Sequence, residues 1–259
     1  MTSGNTIEPQ DRWFSVVEME VNARCNRRCG YCPVSVLPTQ KGDRFMSEAL
    51  FDRILDELER IDFRGNLSYH LFNEPLLRRD LETLVAKVAA RLPDVFQILF
   101  TNGDLLSDKR YASLKNDGID HFVVTRHSFE PMPERPEQTV QFPSDLILVN
   151  RGGLLGALGE TLTMPCYAPT DMLILTVDGD VLLCCDDAER GHVMGNIAVQ
   201  DLEEIWFSPR FVSLRRLLQE GNRREASDIC RRCNNREYFG PGENDHKHLV
   251  KMARARQGD

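Results

Sequence analysis

CNRRCGYCP, residues 25–33, carries three cysteines in a C-x3-C-x2-C spacing and ends in a proline. Three thiolates this close together can bind three irons of a cubane iron-sulfur cluster and leave its fourth iron without a protein ligand. Such an iron is open to a small molecule, so Cys25, Cys29 and Cys32 are candidate ligands of a catalytic cluster. A zinc loop or three unrelated thiols is the alternative, although zinc sites usually combine C-x2-C pairs with a fourth ligand.

Predicted strands and helices alternate on both sides of this cysteine loop. The partly alternating segment 15–21 predicts a strand that ends just before the loop. Ser47 followed by Glu48 is an N-cap signal, and the apolar spacing after it predicts an amphipathic helix to Ile61. Further strands are predicted at 67–72, 95–100, 121–124 and 146–149, and further helices at 80–91 and 107–116. This alternation predicts an α/β fold with a parallel sheet, either doubly wound or a barrel.

The pattern changes from Met172 onward. Segments 173–177 and 181–184, joined by Asp178-Gly179, predict a β-hairpin, and short helices follow at 202–206 and 211–218, interrupted by Pro209. Glycines cluster at 153–162 and mark a domain boundary. We therefore predict an N-terminal extension (1–13), an α/β domain (14–155), a small C-terminal domain (156–240) and a polar tail (241–259).

The C-terminal third holds a second group of cysteines. Cys230 and Cys233 form a C-x2-C pair, and Cys166 together with Cys184 or Cys185 would complete a site with four thiolates. Four thiolates close a site, and both an iron-sulfur cluster and a structural zinc fit this spacing. Because side chains alternate along a strand, only one of the two adjacent cysteines should face the metal.

Composition narrows the cellular setting and the partners. The net charge of −8 and pI near 5.4 disfavour a nucleic acid partner. No segment approaches the roughly 20 apolar residues of a membrane helix, and no secretion signal precedes the eight cysteines. Free thiols are typical of reducing compartments, so we expect a cytoplasmic protein with no membrane partner, whose cysteines bind metal or take part in redox chemistry.

The cysteine loop, with Tyr31 just before its last cysteine, resembles the signature of the radical S-adenosylmethionine (SAM) superfamily. The resemblance implies that SAM binds the open iron of a [4Fe-4S] cluster and is cleaved to a 5′-deoxyadenosyl radical. It also implies a partial parallel (β/α) barrel of the radical SAM type, whose active site lies at the C-terminal ends of the strands, as in other barrel enzymes.

Two later motifs extend this resemblance. Phe72-Asn73-Glu74-Pro75 follows the second predicted strand, where the superfamily has a Gly-Gly-Glu motif, and Thr101-Asn102-Gly103 follows the third and resembles another cofactor-side turn. The resemblance implies that Glu74 and the backbone near it hold the methionine amino group of SAM. The cofactor-binding residues predicted in this way are Tyr31, Asn73, Glu74, Thr101 and Asn102.

The C-terminal third resembles the shortened SPASM extension that is called a twitch domain. The segments 194–197 and 204–206 and the final C-x2-C pair carry this resemblance. It implies one auxiliary [4Fe-4S] cluster, hence two clusters in all, with Cys166, Cys184, Cys230 and Cys233 as ligands. Cys185 is then either a buried bystander or a hydrogen-atom donor to a substrate radical.

Several segments together resemble the 2-deoxy-scyllo-inosamine dehydrogenases of aminoglycoside antibiotic biosynthesis. They are 20–22, 25–27, 31–33, 74–77, 101–104, 150–153 and 233–235. The resemblance implies oxidation of an alcohol of an aminocyclitol or amino sugar to a ketone, with flavodoxin or ferredoxin as electron donor. It makes Arg151 a catalytic candidate that binds the substrate oxygen or assists its deprotonation, the alternative being an exposed loop arginine. Phe100 replaces a tyrosine of that family, which removes a hydroxyl group and favours a changed substrate.

Other functions stay open on the sequence alone. Redox-neutral epimerisation of a sugar would use Cys185 as the hydrogen donor. Modification of a peptide side chain is a second alternative, although residues 1–13 are too short for a peptide-recognition domain. A non-enzymatic electron-transfer or zinc-stabilised binding protein would leave the open three-cysteine site unexplained.

Overall fold

The computed structural model describes residues 12–37, 44–128 and 132–238, and within them eight strands form one open sheet. Most of the predicted N-terminal extension and all of the predicted polar tail lie outside these residues. The strands are β1 (Val16–Met19), β2 (Asn66–Ser68), β3 (Phe96–Thr101), β4 (His121–Thr125), β5 (Gln138–Gln141), β6 (Met172–Leu175), β7 (Asp180–Leu182) and β8 (Val193–Asn196).

The sheet has the order β5-β4-β3-β2-β1-β6-β7-β8. All neighbours from β5 to β6 pair in parallel, and β7 and β8 continue the sheet with antiparallel pairing. The predicted α/β class with an incomplete, mostly parallel barrel is therefore confirmed. The predicted hairpin is also confirmed, because β6 and β7 flank the turn at Asp178-Gly179.

The described residues also form eight α-helices, seven of which contribute buried side chains to the main core on one face of the sheet. They are α1 (Glu48–Arg60), α2 (Leu81–Arg91), α3 (Asp108–Asp117), α4 (Ala168–Asp171), α5 (Leu202–Trp206), α6 (Pro209–Gln219), α7 (Arg223–Ala226) and α8 (Asp228–Arg232). The predicted N-cap of α1 is confirmed, since the Ser47 side chain accepts a hydrogen bond from the Leu50 amide at 3.2 Å. No helix in the described ranges has both the length and the apolar surface needed to cross a membrane.

Alternation along β1 separates two environments. Val17 and Met19 point into the main hydrophobic core beneath the helices, whereas Val16 belongs to a smaller apolar cluster on the opposite face. Glu18 also points to that opposite face, since side chains of a strand alternate with a period of two. This inner face is where the open barrel holds its cavity.

One predicted strand is wrong. Residues 146–149 are in no strand, and Ile147 and Leu148 are 69% and 60% exposed. The edge strand of the parallel part of the sheet is β5, which precedes this segment and has the sequence Gln-Thr-Val-Gln. A polar edge strand has no apolar periodicity to find, because only one of its edges is paired and its outer side chains meet water.

Candidate active site

The first cysteine loop borders a cavity of about 340 Å³ at the C-terminal ends of the parallel strands. Cys25, Cys29 and Cys32 all line it. The ends of β3, β4 and β5 reach the same cavity through Thr101, Thr125 and Gln141, in the place where barrel enzymes hold their chemistry.

The donor chemistry of this loop fits an iron-sulfur cluster. Burial raises the pKa of Cys25 to about 11, with smaller contributions from Glu74 and the other two thiols, and burial also raises the pKa of Cys32. Bound iron would reverse this effect, because a coordinating thiol is deprotonated. The Arg27 amide donates to the Cys25 sulfur at 3.4 Å, and hydrogen bonds to ligand sulfurs tune the properties of a bound cluster.

Each predicted cofactor residue lies on this cavity, and several bond to one another. Glu74 is 2% exposed. Its Oε1 accepts from the Leu76 amide at 3.0 Å and the Thr101 hydroxyl at 2.8 Å, and its Oε2 accepts from the Asn102 amide at 2.8 Å. Burial raises the pKa of Glu74, and these three hydrogen bonds oppose the shift. The carboxylate therefore fastens the loop after β2 to the turn after β3, and it retains acceptor capacity for an ammonium group.

Asn73 and Tyr31 also line the cavity, and each is fixed by contacts with neighbouring polar side chains or backbone. Asn73 Oδ1 accepts from the Leu71 amide at 2.8 Å, and its Nδ2 donates to Asn22 Oδ1 at 2.5 Å. The hydroxyl of Tyr31 lies 3.3 Å from Nε2 of His127, which is also 3.6 Å from the Cys29 sulfur. Burial lowers the pKa of His127, so this imidazole is largely neutral near pH 7.

The second cysteine group gathers beside the first cavity. Cys184 interacts electrostatically with Cys230 and Cys233, and Cys166 interacts with the same pair. Burial is the largest cause of the raised pKa of each of these four thiols. All eight cysteines of the chain are free, so no disulfide ties up a thiol of either group.

Cys185 has different surroundings. Its sulfur lies 3.2 Å from the hydroxyl of Tyr238, and it lines the cavity of the first cysteine loop. The two adjacent cysteines thus have different surroundings, the second thiol group for Cys184 and the cavity for Cys185. Both follow the end of β7 at Leu182, so the alternation predicted from a strand over 181–184 does not account for this difference.

Arg151 also reaches the cavity and is not a freely exposed loop residue. Its side chain is 31% exposed, and its Nη1 donates to Asp186 Oδ1 at 2.9 Å. Asn235 holds the other oxygen of that carboxylate through Nδ2 at 2.8 Å. Burial alone lowers the pKa of Arg151, but Asp186 more than offsets this, so the guanidinium stays charged.

Sequence reasoning missed several polar groups of the cavity, among them Glu18 and Tyr238. Glu18 left a signal, because it is a charged residue inside a predicted strand between buried neighbours. Tyr238 left none, since it follows the last cysteine without any periodicity. It reaches the cavity because its carbonyl accepts from the Tyr167 amide at 2.8 Å.

Comparison with known proteins agrees with both halves of this site. The profile of the radical SAM superfamily matches residues 19–141, and that of the SPASM iron-sulfur cluster-binding domain matches residues 166–234. The S-adenosyl-L-methionine-dependent 2-deoxy-scyllo-inosamine dehydrogenase of Niallia circulans is 37% identical over 87% of this chain and 94% of that protein.

Solved structures agree with the fold. BtrN in complex with AdoMet and 2-DOIA superposes with a TM-score of 0.82 at 35% identity, covering 90% of this chain and 98% of that chain. Streptococcus suis SuiB bound to its precursor peptide SuiA has a TM-score of 0.51 at 13% identity over 85% of this chain and 71% of that one, a likeness of fold alone.

Proposed function

This chain is a radical SAM enzyme of the 2-deoxy-scyllo-inosamine dehydrogenase family, and from that premise we propose that it oxidises a secondary alcohol of an aminocyclitol or amino sugar to a ketone. The observation that carries the proposal is the shared cavity. It joins the open three-cysteine loop to Arg151 and Cys185, and Cys184 connects it to the second thiol group.

The cofactors follow from the family and from the placement of the thiols. SAM and a [4Fe-4S] cluster are required by every radical SAM enzyme, and the SPASM domain binds further iron and sulfur. We propose that Cys25, Cys29 and Cys32 hold the catalytic cluster, which supplies the electron that cleaves SAM to the 5′-deoxyadenosyl radical. One auxiliary [4Fe-4S] cluster on Cys166, Cys184, Cys230 and Cys233 then makes two in all.

The lining of the cavity supports a polar substrate. Away from the cysteine loop, Gln141, His70 and Arg151 offer hydrogen-bonding groups to hydroxyls. Phe100 stacks on His70 with ring centroids 4.3 Å apart and brings a ring without a hydroxyl group to this wall, where the resemblance implies a tyrosine. We therefore propose a substrate of the aminocyclitol class that differs from 2-deoxy-scyllo-inosamine near this wall.

The setting follows from the same chemistry. The reaction belongs to aminoglycoside-type antibiotic biosynthesis, and a small one-electron carrier such as flavodoxin or ferredoxin reduces the catalytic cluster. Free thiols and reduced clusters need a reducing compartment, which supports a cytoplasmic location. The net charge of −8 supports the absence of nucleic acid and anionic membrane partners.

An anaerobic assay with a carbinol-deuterated aminocyclitol tests the proposal. We expect deuterium in 5′-deoxyadenosine and one ketone per cofactor cleaved, measured by mass spectrometry. Unlabelled 5′-deoxyadenosine without ketone would reject this substrate class. Recovered alcohol of inverted configuration, carrying solvent deuterium when the assay is run in D₂O, would instead show epimerisation with Cys185 as hydrogen donor. No cleavage by the iron-loaded protein would contradict the proposal as a whole.

A further inference from the structure

We infer that Glu18 accepts the hydroxyl proton of the substrate alcohol, a role that rests on the proposed oxidation. The side chain of Glu18 lies on the inner face of β1 and lines the cavity together with the cysteine loop, Arg151, Cys185 and Tyr238. Among the described residues that line this cavity, the other carboxylate is Glu74, which already accepts hydrogen bonds from Leu76, Thr101 and Asn102.

The oxidation needs a proton acceptor. The 5′-deoxyadenosyl radical takes the hydrogen atom from the carbinol carbon, which leaves one unpaired electron on that carbon beside an intact hydroxyl group. Forming the C=O bond then requires the O–H proton to leave and the remaining electron to pass to a one-electron acceptor, an iron-sulfur cluster of the SPASM domain. The proton must therefore find a base within the cavity, within hydrogen-bond reach of the substrate oxygen.

Glu18 is placed and tuned to be that base. It is 5% exposed, and burial raises its pKa to about 7, an effect that Arg151 opposes and Asp186 reinforces. A base with a pKa near the working pH can both accept a proton and release it again. The titratable or charged groups that face it are Arg151, Asp186, Cys185, Tyr238 and, at the end of the neighbouring strand, His70.

Arg151 is suited to a different part of the reaction. Its guanidinium is ion-paired with Asp186 at 2.9 Å, and an arginine side chain has no acceptor and does not deprotonate in proteins. Arg151 therefore binds and polarises the substrate oxygen while Glu18 takes the proton. The inference therefore divides two roles between two residues of opposite charge. Arg151 binds the substrate oxygen, and Glu18 accepts its proton, whereas the resemblance implies a role for Arg151 alone.

The test compares Glu18→Gln with Glu20→Gln. Glu20 is a matched control directly after the end of β1, because it is buried too but bonds to Arg190 at 2.7 Å and to the Val177 amide at 3.1 Å, away from the cavity. The readout is the ratio of ketone to 5′-deoxyadenosine in single turnovers between pH 5.5 and 9, which removes any effect of pH on cluster reduction.

We expect the ratio for wild type and Glu20→Gln to fall as pH drops below about 7, where Glu18 becomes protonated. Glu18→Gln should give a ratio lower by roughly 10²-fold above pH 7 and a ratio that no longer depends on pH between 5.5 and 9, while deuterium still reaches 5′-deoxyadenosine. An unchanged ratio and pH profile in Glu18→Gln would overturn the inference. A raised KM with an unchanged ratio would also overturn it, and would show that Glu18 binds the substrate ammonium instead.

A second readout needs no turnover. Infrared difference spectra of the iron-loaded, unreduced protein should show a carboxylic acid C=O band that titrates with a midpoint of about 7 and is absent in Glu18→Gln. A Glu18 carboxyl that titrates in the ordinary range of a glutamate, near 4.3, would contradict the inference. Should wild type itself form no ketone with any aminocyclitol, the proposed function fails, and this spectrum still reports whether Glu18 is a base near neutral pH.

Discussion

Two adjacent cysteines have different surroundings in this protein. The sequence predicts that Cys184 and Cys185 point to opposite faces, and the resemblance favours Cys184 as the ligand. The structure adds what each of them meets, Cys230 and Cys233 for one and the hydroxyl of Tyr238 for the other. The resemblance already implies the grouping of Cys184 with Cys230 and Cys233. The contact between Cys185 and Tyr238 could not be predicted, because it depends on where segments remote in sequence end in space.

We expect Cys184→Ala to lose the auxiliary cluster and Cys185→Ala to keep it. Removing one of four thiolates opens the proposed site, so the iron content after reconstitution should fall by about half in the first variant. Iron and sulfide analysis with Mössbauer spectra measures this directly. Equal iron loss in both variants, or loss only in Cys185→Ala, would show that the ligand assignment is wrong.

At the scale of elements, the sequence predicts those features that depend only on residues within one segment, such as where a helix begins. The capping serine of α1 and the apolar periodicity of α2 lie within single segments, and both helices begin within a residue of their predicted starts. The sequence predicts a strand at 146–149 and none at β5, because an apolar run indicates a buried strand, and the structure shows the reverse. Strand pairing depends on residues far away along the chain. A polar segment can therefore form an edge strand, and an apolar segment can remain an exposed loop.

The turn between β6 and β7 provides a test of element stability. Gly179 has φ +86°, and a Cβ there would lie 3.0 Å from Leu50 Cδ1. Gly179→Ala should cost about 1 kcal/mol, because the left-handed backbone disfavours side chains, and lower the melting temperature of the iron-loaded protein by about 2–4 °C. Gly159→Ala is the control, since that glycine has no positive φ and no atom within 4 Å of the added carbon. Equal melting temperatures in both variants would contradict the strain argument.

At the scale of the whole molecule, the cluster-bearing C-terminal region is built into the same sheet as the barrel. β1 pairs with β2 on one side and with β6 on the other. Helix α1 adds polar links, since Arg53 Nε donates to the Ile197 carbonyl at 2.5 Å and Glu57 Oε2 accepts from the Leu202 amide at 3.1 Å. The predicted division at residue 155 is therefore a change of pattern along the chain, and whether it separates two independently folding domains stays a prediction.

This continuity predicts how the protein opens. Detaching β6 would expose the backbone edge of β1 and the inner face that carries Glu18, so β1 and β6 should unfold together. Hydrogen exchange followed by mass spectrometry of the iron-loaded protein should give both strands the same slow rate, with faster exchange in the edge strand β5. If β6 to β8 exchanged as a faster unit than β1, the C-terminal region would open alone. Cys185 would then move away from the cavity and return to it while the barrel stays folded. The exposure of the substrate radical to water would depend on that local opening equilibrium.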